Sequence, residues 1–118
     1  APRGVEGISF KPLLTQPDQP WKRAVFSQYP RARSGNRHRG HGEIMGYTVR
    51  THRYRYVQWQ DWESKKVVAR ELYDHNSDPH EARNVAAQAK HSDAVGGLAG
   101  MLESGWESVL PATAEKTQ

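Results

Sequence analysis

The chain contains no cysteine. That excludes disulfides, thiolate metal sites and a cysteine nucleophile within these residues, and leaves the redox compartment open. It also lacks any apolar run approaching the roughly 18 residues that a membrane-spanning helix needs. Apolar residues make up 36% of 118, below the usual share for a soluble domain, and the mean hydropathy is −0.91. The length suits one domain whose core is thin or is completed against another surface. Residue 1 is Ala rather than Met, and no signal-peptide pattern follows. The expectation is a processed chain or a piece of a longer one. What the chain has in excess is positive charge, a net +4 with a pI near 9.6. This favours an anionic partner: nucleic acid, lipid headgroups, or a sulfated or carboxylated sugar.

Residues 1–21 carry Pro2, Pro12, Pro17 and Pro20, so regular structure is interrupted there. They read as an extended lead-in with a helical turn near Phe10 to Leu14. Lys22 to Ser27 contains a short strand, Ala24-Val25-Phe26, which Pro30 is expected to end. Arg31 to Gly42 holds three Gly, four Arg and two His, and reads as a loop. From Glu43 to Gln60, Met45, Tyr47, Val49 and Thr51 alternate with polar residues. Tyr54 and Tyr56 then alternate with Arg53, Arg55, Val57 and Trp59. A break near Thr51-His52-Arg53, which lacks the Asn-Gly or Asp-Gly of a two-residue turn, predicts a hairpin. Asp61 to Lys66 is turn-like, Val67 to Tyr73 a third strand of this block, and Asp74 to Pro79 an Asp- and Asn-rich turn.

Glu81 to Ala89 is a short helix candidate. A longer helix is expected over about Asp93 to Leu110, with Ser92 as N-cap and Pro111 as terminator. Val95, Leu98, Leu102, Trp106 and Val109 recur at helical spacing and would face a sheet. Gly96, Gly97, Gly100 and Gly105 weaken that helix by about 1 kcal/mol each relative to Ala, so it needs packing to persist. Residues 111–118 read as a frayed tail. The fold class is α+β: a small antiparallel sheet of about four strands with a C-terminal helix packed on one face. The division is a single unit over 1–118, with lead-in 1–21, sheet 22–73 including basic loop 31–42, helices 81–110 and tail 111–118.

Four constellations compete with bland readings. Arg31, Arg33, Arg37 and Arg39 stay charged near neutral pH, and their guanidinium forks suit carboxylate or sulfate oxygens. The Gly residues between them let backbone approach a ligand. The alternative is a solvated loop. The six histidines lack the i, i+4 spacing of a helical zinc site. Asp74, Asn76 and Asp78 imitate the start of a calcium loop, but Pro79 stands where its Gly should be, which favours a turn. Tyr54, Tyr56 and Trp59 beside Arg53 and Arg55 could stack bases. Rings and charges would fall on opposite strand faces, however, which disfavours nucleic acid.

The motifs EGISFKPLL (Glu6 to Leu14), SQYPR (Ser27 to Arg31), IMGYTVRT, RYRYVQW and ELYDHNSDPHE, in this order, resemble the C-terminal part of sulfatases, closest to the iduronate-2-sulfatase group. The resemblance implies a sulfatase C-terminal subdomain that completes the fold and lends a basic loop to substrate binding without being catalytic alone. It implies that Asp78-Pro79 shapes a turn, that Glu81 opens a helical turn and that Asn84 anchors it. It further implies a sulfuric ester hydrolase acting on sulfated uronate sugars of glycosaminoglycans. No cofactor belongs to this chain; Ca²⁺ and formylglycine are expected in an N-terminal catalytic domain absent from it. That domain and the sulfated sugar are the expected partners, and the expected compartment is periplasmic or secreted in bacteria, lysosomal in animals. Sulfatases make formylglycine from C-x-P-x-R or S-x-P-x-R. In SQYPR the Pro stands one place too late, so Ser27 is not read as a nucleophile, and no catalytic residue is assigned. Between SQYPR and IMGY, the resemblance places a basic residue against a uronate carboxylate. Arg37 is the first candidate and Arg39 the second, with Arg31, Arg33 and His38 beside them. The alternative is a free-standing polyanion- or nucleic-acid-binding module.

Overall fold

The structure is a computed structural model that describes residue 4, residues 6–31 and residues 43–111. Its described elements are α1 (Lys11–Thr15), β1 (Val25–Arg31), β2 (Ile44–Arg50), β3 (Tyr54–Asp61), β4 (Val67–Asp74) and α2 (Ser92–Ser104). Short 3₁₀ turns precede and follow α2, at Ala89–His91 and Trp106–Val109. The strands form one antiparallel sheet in the order β1-β2-β3-β4, and the α+β expectation holds.

The β2–β3 turn is held locally. Thr51 N donates to Tyr54 O at 2.9 Å, and Tyr54 N donates to Thr51 Oγ1 at 3.0 Å. The Arg50 guanidinium folds over it, donating to the carbonyls of Thr51 and His52. Between β3 and β4, Asp61 Oδ2 accepts from Ser64 N at 2.8 Å, and Lys65 adopts a left-handed φ of 61°.

Register sorts the side chains into two faces. Phe26 pairs with Val49, Val49 with Tyr56, and Tyr56 with Leu72, so one line of apolar side chains crosses all four strands. Val49, Tyr56 and Leu72 are fully buried. Ala24, Leu98 and Val109 complete the core, with Val95 and Leu102 packed against its rim. The predicted helical stripe therefore meets the sheet, although Trp106 is only half-buried.

Four local expectations need correction. Pro30 does not end β1, which runs through it to Arg31. As an edge strand, β1 loses no ladder bond when the missing N–H faces outward. Residues 81–88 form no α-helix. The Asp78 carboxylate takes the amides of Ala82 and Arg83, both at 3.0 Å, and Glu81 sits at φ 55°. Those amides are satisfied without a helical ladder, and a left-handed residue interrupts one. Ser92 is the first residue of α2 rather than its cap; His91 holds the cap position without a side-chain bond. The long helix is also split. Gly105, at φ 85°, ends α2, and the chain resumes as the 3₁₀ turn. That turn is pinned to the entry of β1 by Arg23, whose Nη2 donates to Ser108 O at 2.7 Å and whose N donates to Val109 O at 3.2 Å.

Candidate functional site

The sheet face turned away from α2 carries a connected set of polar and aromatic side chains. Gly46 and Trp59 are directly paired between β2 and β3. The indole lies across the glycine, and the Arg31 guanidinium sits 5.0 Å from the ring centroid. Trp59 Nε1 donates to Glu71 Oε2 at 2.6 Å, and the Tyr73 hydroxyl donates to Glu71 Oε1 at 2.6 Å. A second cluster follows along the same face. Arg55 Nη1 donates to Glu81 Oε2 at 2.7 Å, His75 Nε2 lies 3.0 Å from Glu81 Oε1, and Arg50 Nη2 lies 3.0 Å from His75 Nδ1. An arginine can only donate, so its contact fixes His75 Nδ1 as an acceptor and Nε2–H as the donor to Glu81. Beside the turn, Arg53 makes a paired bond to Asp74 at 3.0 and 2.8 Å.

These contacts set the charge states. The Tyr73 bond holds the Glu71 carboxyl below its ordinary value, and the Trp59 bond adds to this. The same bond to Glu71, with burial behind it, pushes Tyr73 up to about 12. The Arg53 fork lowers Asp74, and the amides of Ala82 and Arg83 lower Asp78. The three carboxylates are depressed on folding, so their contribution is present above the unfolded carboxylate range and is lost as pH falls through the folded values. Tyr73 is raised, so its contribution is full below the ordinary tyrosine value of 10.0 and is lost as pH climbs through about 12. Thermal melts across pH should therefore show stability falling at both extremes, and Tyr73→Phe should flatten the alkaline limb and remove part of Glu71's share of the acid limb, leaving the shares of Asp74 and Asp78.

Of the residues expected to meet substrate, Arg31 stands at the end of β1 on Trp59. Arg33, Arg37, His38 and Arg39 lie outside the described residues. Arg31 is paired with Ile44 across β1 and β2, so the two strands that flank these residues are neighbours. Ser27 and Tyr29 are exposed on β1, Tyr29 at 67%. Tyr56 is fully buried and offers no ring to a base. Asp74, Asn76 and Asp78 form the turn predicted for them, with Asn76 N donating to Asp74 Oδ1 at 3.1 Å. Among the described residues no group of three or more His, Asp or Glu could hold a metal ion. No described helix is long and apolar enough to cross a membrane. The Trp59–Glu71–Tyr73 and Arg55–Glu81–His75–Arg50 groups are what sequence reading missed. Period-two alternation put Arg55 and Trp59 on one face, but the β3–β4 register that brings Glu71 and Tyr73 to them has no signal in composition. On the α2 side the sheet leaves an open trough of about 1160 Å³, lined by Phe26, Gln28, Tyr47, Gln58, Leu102 and Trp106 among others.

Comparison with known proteins places this architecture. Residues 1–106 match the family model described as N-sulphoglucosamine sulphohydrolase, C-terminal. No curated protein sequence matches the chain. Among solved structures it is similar to BT1596, a 2-O GAG sulfatase, at 26% identity and a TM-score of 0.63, over 88% of this chain and 20% of that one. It is similar to a putative sulfatase from Bacteroides thetaiotaomicron VPI-5482 at 27% identity and a TM-score of 0.62, again over 88% and 20%. A phosphonate monoester hydrolase of Agrobacterium radiobacter matches at 25% identity and a TM-score of 0.61, over 85% and 20%. The chain spans about a fifth of the length of these structures. With the four-stranded sheet and its covering helix matched from residue 1 to residue 106, the chain belongs to the N-sulphoglucosamine sulphohydrolase C-terminal family, the C-terminal domain of sulfatases.

Proposed function

We propose that this chain serves as the C-terminal part of an enzyme that hydrolyses sulfate esters on a glycosaminoglycan, with a 2-O-sulfated uronate as its preferred sugar. The observation that carries the reading is the family match over residues 1–106, joined to the similarity at 26% identity to a 2-O GAG sulfatase. The iduronate-2-sulfatase-like motifs SQYPR and IMGYTVRT support the uronate. In this reading the chemistry belongs to a catalytic domain N-terminal to these residues, which supplies the formylglycine and Ca²⁺. The parent enzyme works in the periplasm or outside the cell in a bacterium, or in a lysosome in an animal. The phosphonate monoester hydrolase similarity fits the same division of labour, because a shared C-terminal fold leaves the choice of ester to the other domain.

The basic segment 31–42 is this chain's contribution to substrate. Arg37, then Arg39, offers a guanidinium fork to the uronate carboxylate, with Arg31, Arg33 and His38 adding positive charge around it. In the longer protein, Arg37→Ala should raise KM for a uronate-bearing substrate by about 10- to 100-fold, the worth of a charged hydrogen bond. KM for a simple aryl sulfate should change little. Equal effects on both substrates would remove the carboxylate from the reading. A second reading follows from the family description: an N-sulfated glucosamine in place of the uronate. Turnover of a sulfamate in preference to a 2-O-sulfated uronate would select it. Sulfate release by residues 1–118 alone would defeat both.

A further inference from the structure

We infer that the face of the sheet opposite α2, centred on Tyr29, Gly46 and Trp59, is the surface on which the catalytic domain of the same protein seats. This rests on the reading above that such a domain exists, and adds which face meets it.

Three observations carry it. First, α2 and the 3₁₀ turn after it pack on one face only, the face of Phe26, Val49, Tyr56 and Leu72. No described helix covers the other. Second, that other face is built to lose water without stranding a charge. Both oxygens of Glu71 are taken, by Trp59 and Tyr73, and both oxygens of Glu81, by Arg55 and His75. No buried side-chain polar atom among the described residues lacks a partner. Burying an unpaired carboxylate is what makes most polar faces poor interfaces; here that cost is already met inside the domain. Val57, on the same face, is 3% exposed beneath this layer. Third, apolar surface remains above it. Val25 is 57% exposed and Tyr29 67%, on the side of β1 that carries Arg31. Aromatic residues and arginine are the groups enriched at the centres of protein interfaces.

The occupant follows from size and charge. The chain spans about a fifth of the structures it matches, so a much larger body adjoins this domain in those proteins. Among the described residues Arg31 makes no ion pair within 4.0 Å; it stacks on the Trp59 ring and reaches the Glu71 carboxylate, already taken by Trp59 and Tyr73, only through the longer-range field. The seating surface should therefore bring apolar side chains to Val25 and Tyr29 and a carboxylate to Arg31.

Hydroxyl-radical footprinting of the longer protein tests this with two residues of one type. In the sheet itself Tyr29 is exposed and Tyr47, on the trough side, is half-buried. The inference expects that order to invert, with Tyr29 labelled less than Tyr47, and expects Tyr29→Asp to restore labelling at Trp59. Tyr29 still labelled more than Tyr47 would overturn it, and so would protection of the trough residues Tyr47 and Trp106 instead. Protection of Tyr29 that disappears on dilution would assign the face to a second copy and overturn the choice of occupant. A reading frame with no upstream sulfatase catalytic sequence would defeat the proposed function and the occupant together, and is read from sequence before any labelling.

Discussion

Tyr56→Ala should cost about 3–5 kcal/mol of folding stability, the range for removing a large aromatic from a packed core. At 4–8 °C per kcal/mol for a domain of this size, that lowers the thermal midpoint by roughly 12–40 °C. The reason is position. Tyr56 is the third residue in the line Phe26, Val49, Tyr56, Leu72, and it is fully buried where three strands and α2 meet. Eight apolar residues among those described are buried, so no second core can carry the sheet if this one opens. Tyr56→Phe separates ring from hydroxyl. It removes only the bond from Tyr56 Oη to Gln58 Oε1, 2.8 Å long, and should cost about 1 kcal/mol. Equal losses for the two variants in denaturant titration would show that the hydroxyl, not the ring volume, holds the sheet.

Gly46→Ala should be the most damaging single-methyl addition in the sheet. Gly46 has no left-handed backbone conformation to explain it. A Cβ there would lie 2.6 Å from Trp59 Cζ3 and 2.9 Å from Cε3 and Cη2. The indole would have to lift, loosening its bond to Glu71 and its stacking under Arg31. Overpacking of this kind costs about 1–3 kcal/mol. The test is a double-mutant cycle. Gly46→Ala in a Trp59→Ala background should be close to neutral, because the clash has no partner. An undiminished cost in that background would place the strain in the β2 backbone instead.

Much of this fold was legible because the residues that make it act locally. Alternation from Met45 to Trp59, the break at Thr51-His52-Arg53 and the Asp-rich turn at Asp74 to Pro79 all announce themselves over a few positions, and the structure forms each of them. The misreadings share a cause. Glu81 to Ala89 has helix-forming composition, but Asp78 and the β4 edge compete for the same amides, and that competition is decided by tertiary neighbours. Gly105 was visible as a weak point in α2, yet only the need to return Val109 to the core turns it into a break. The candidate site was least legible, since Trp59 and Glu71 are brought together by strand register. Only Arg31, of the arginines in the basic segment, falls on described structure.

The tie between Asn84 and β4 has a consequence for behaviour in concentrated solution. Asn84 Oδ1 accepts from Leu72 N at 3.0 Å, its Nδ2 donates to Arg70 O at 3.1 Å, and Val85 N donates to Leu72 O at 2.9 Å. One amide side chain and one backbone amide thus occupy groups that would otherwise recruit a foreign strand. On the opposite edge Pro30 offers no N–H at all. An open four-stranded sheet is a template for end-to-end growth, and these two devices deny it a sticky end on either side. Resistance to fibrous self-association is therefore a second property of the same asparagine that shapes the turn.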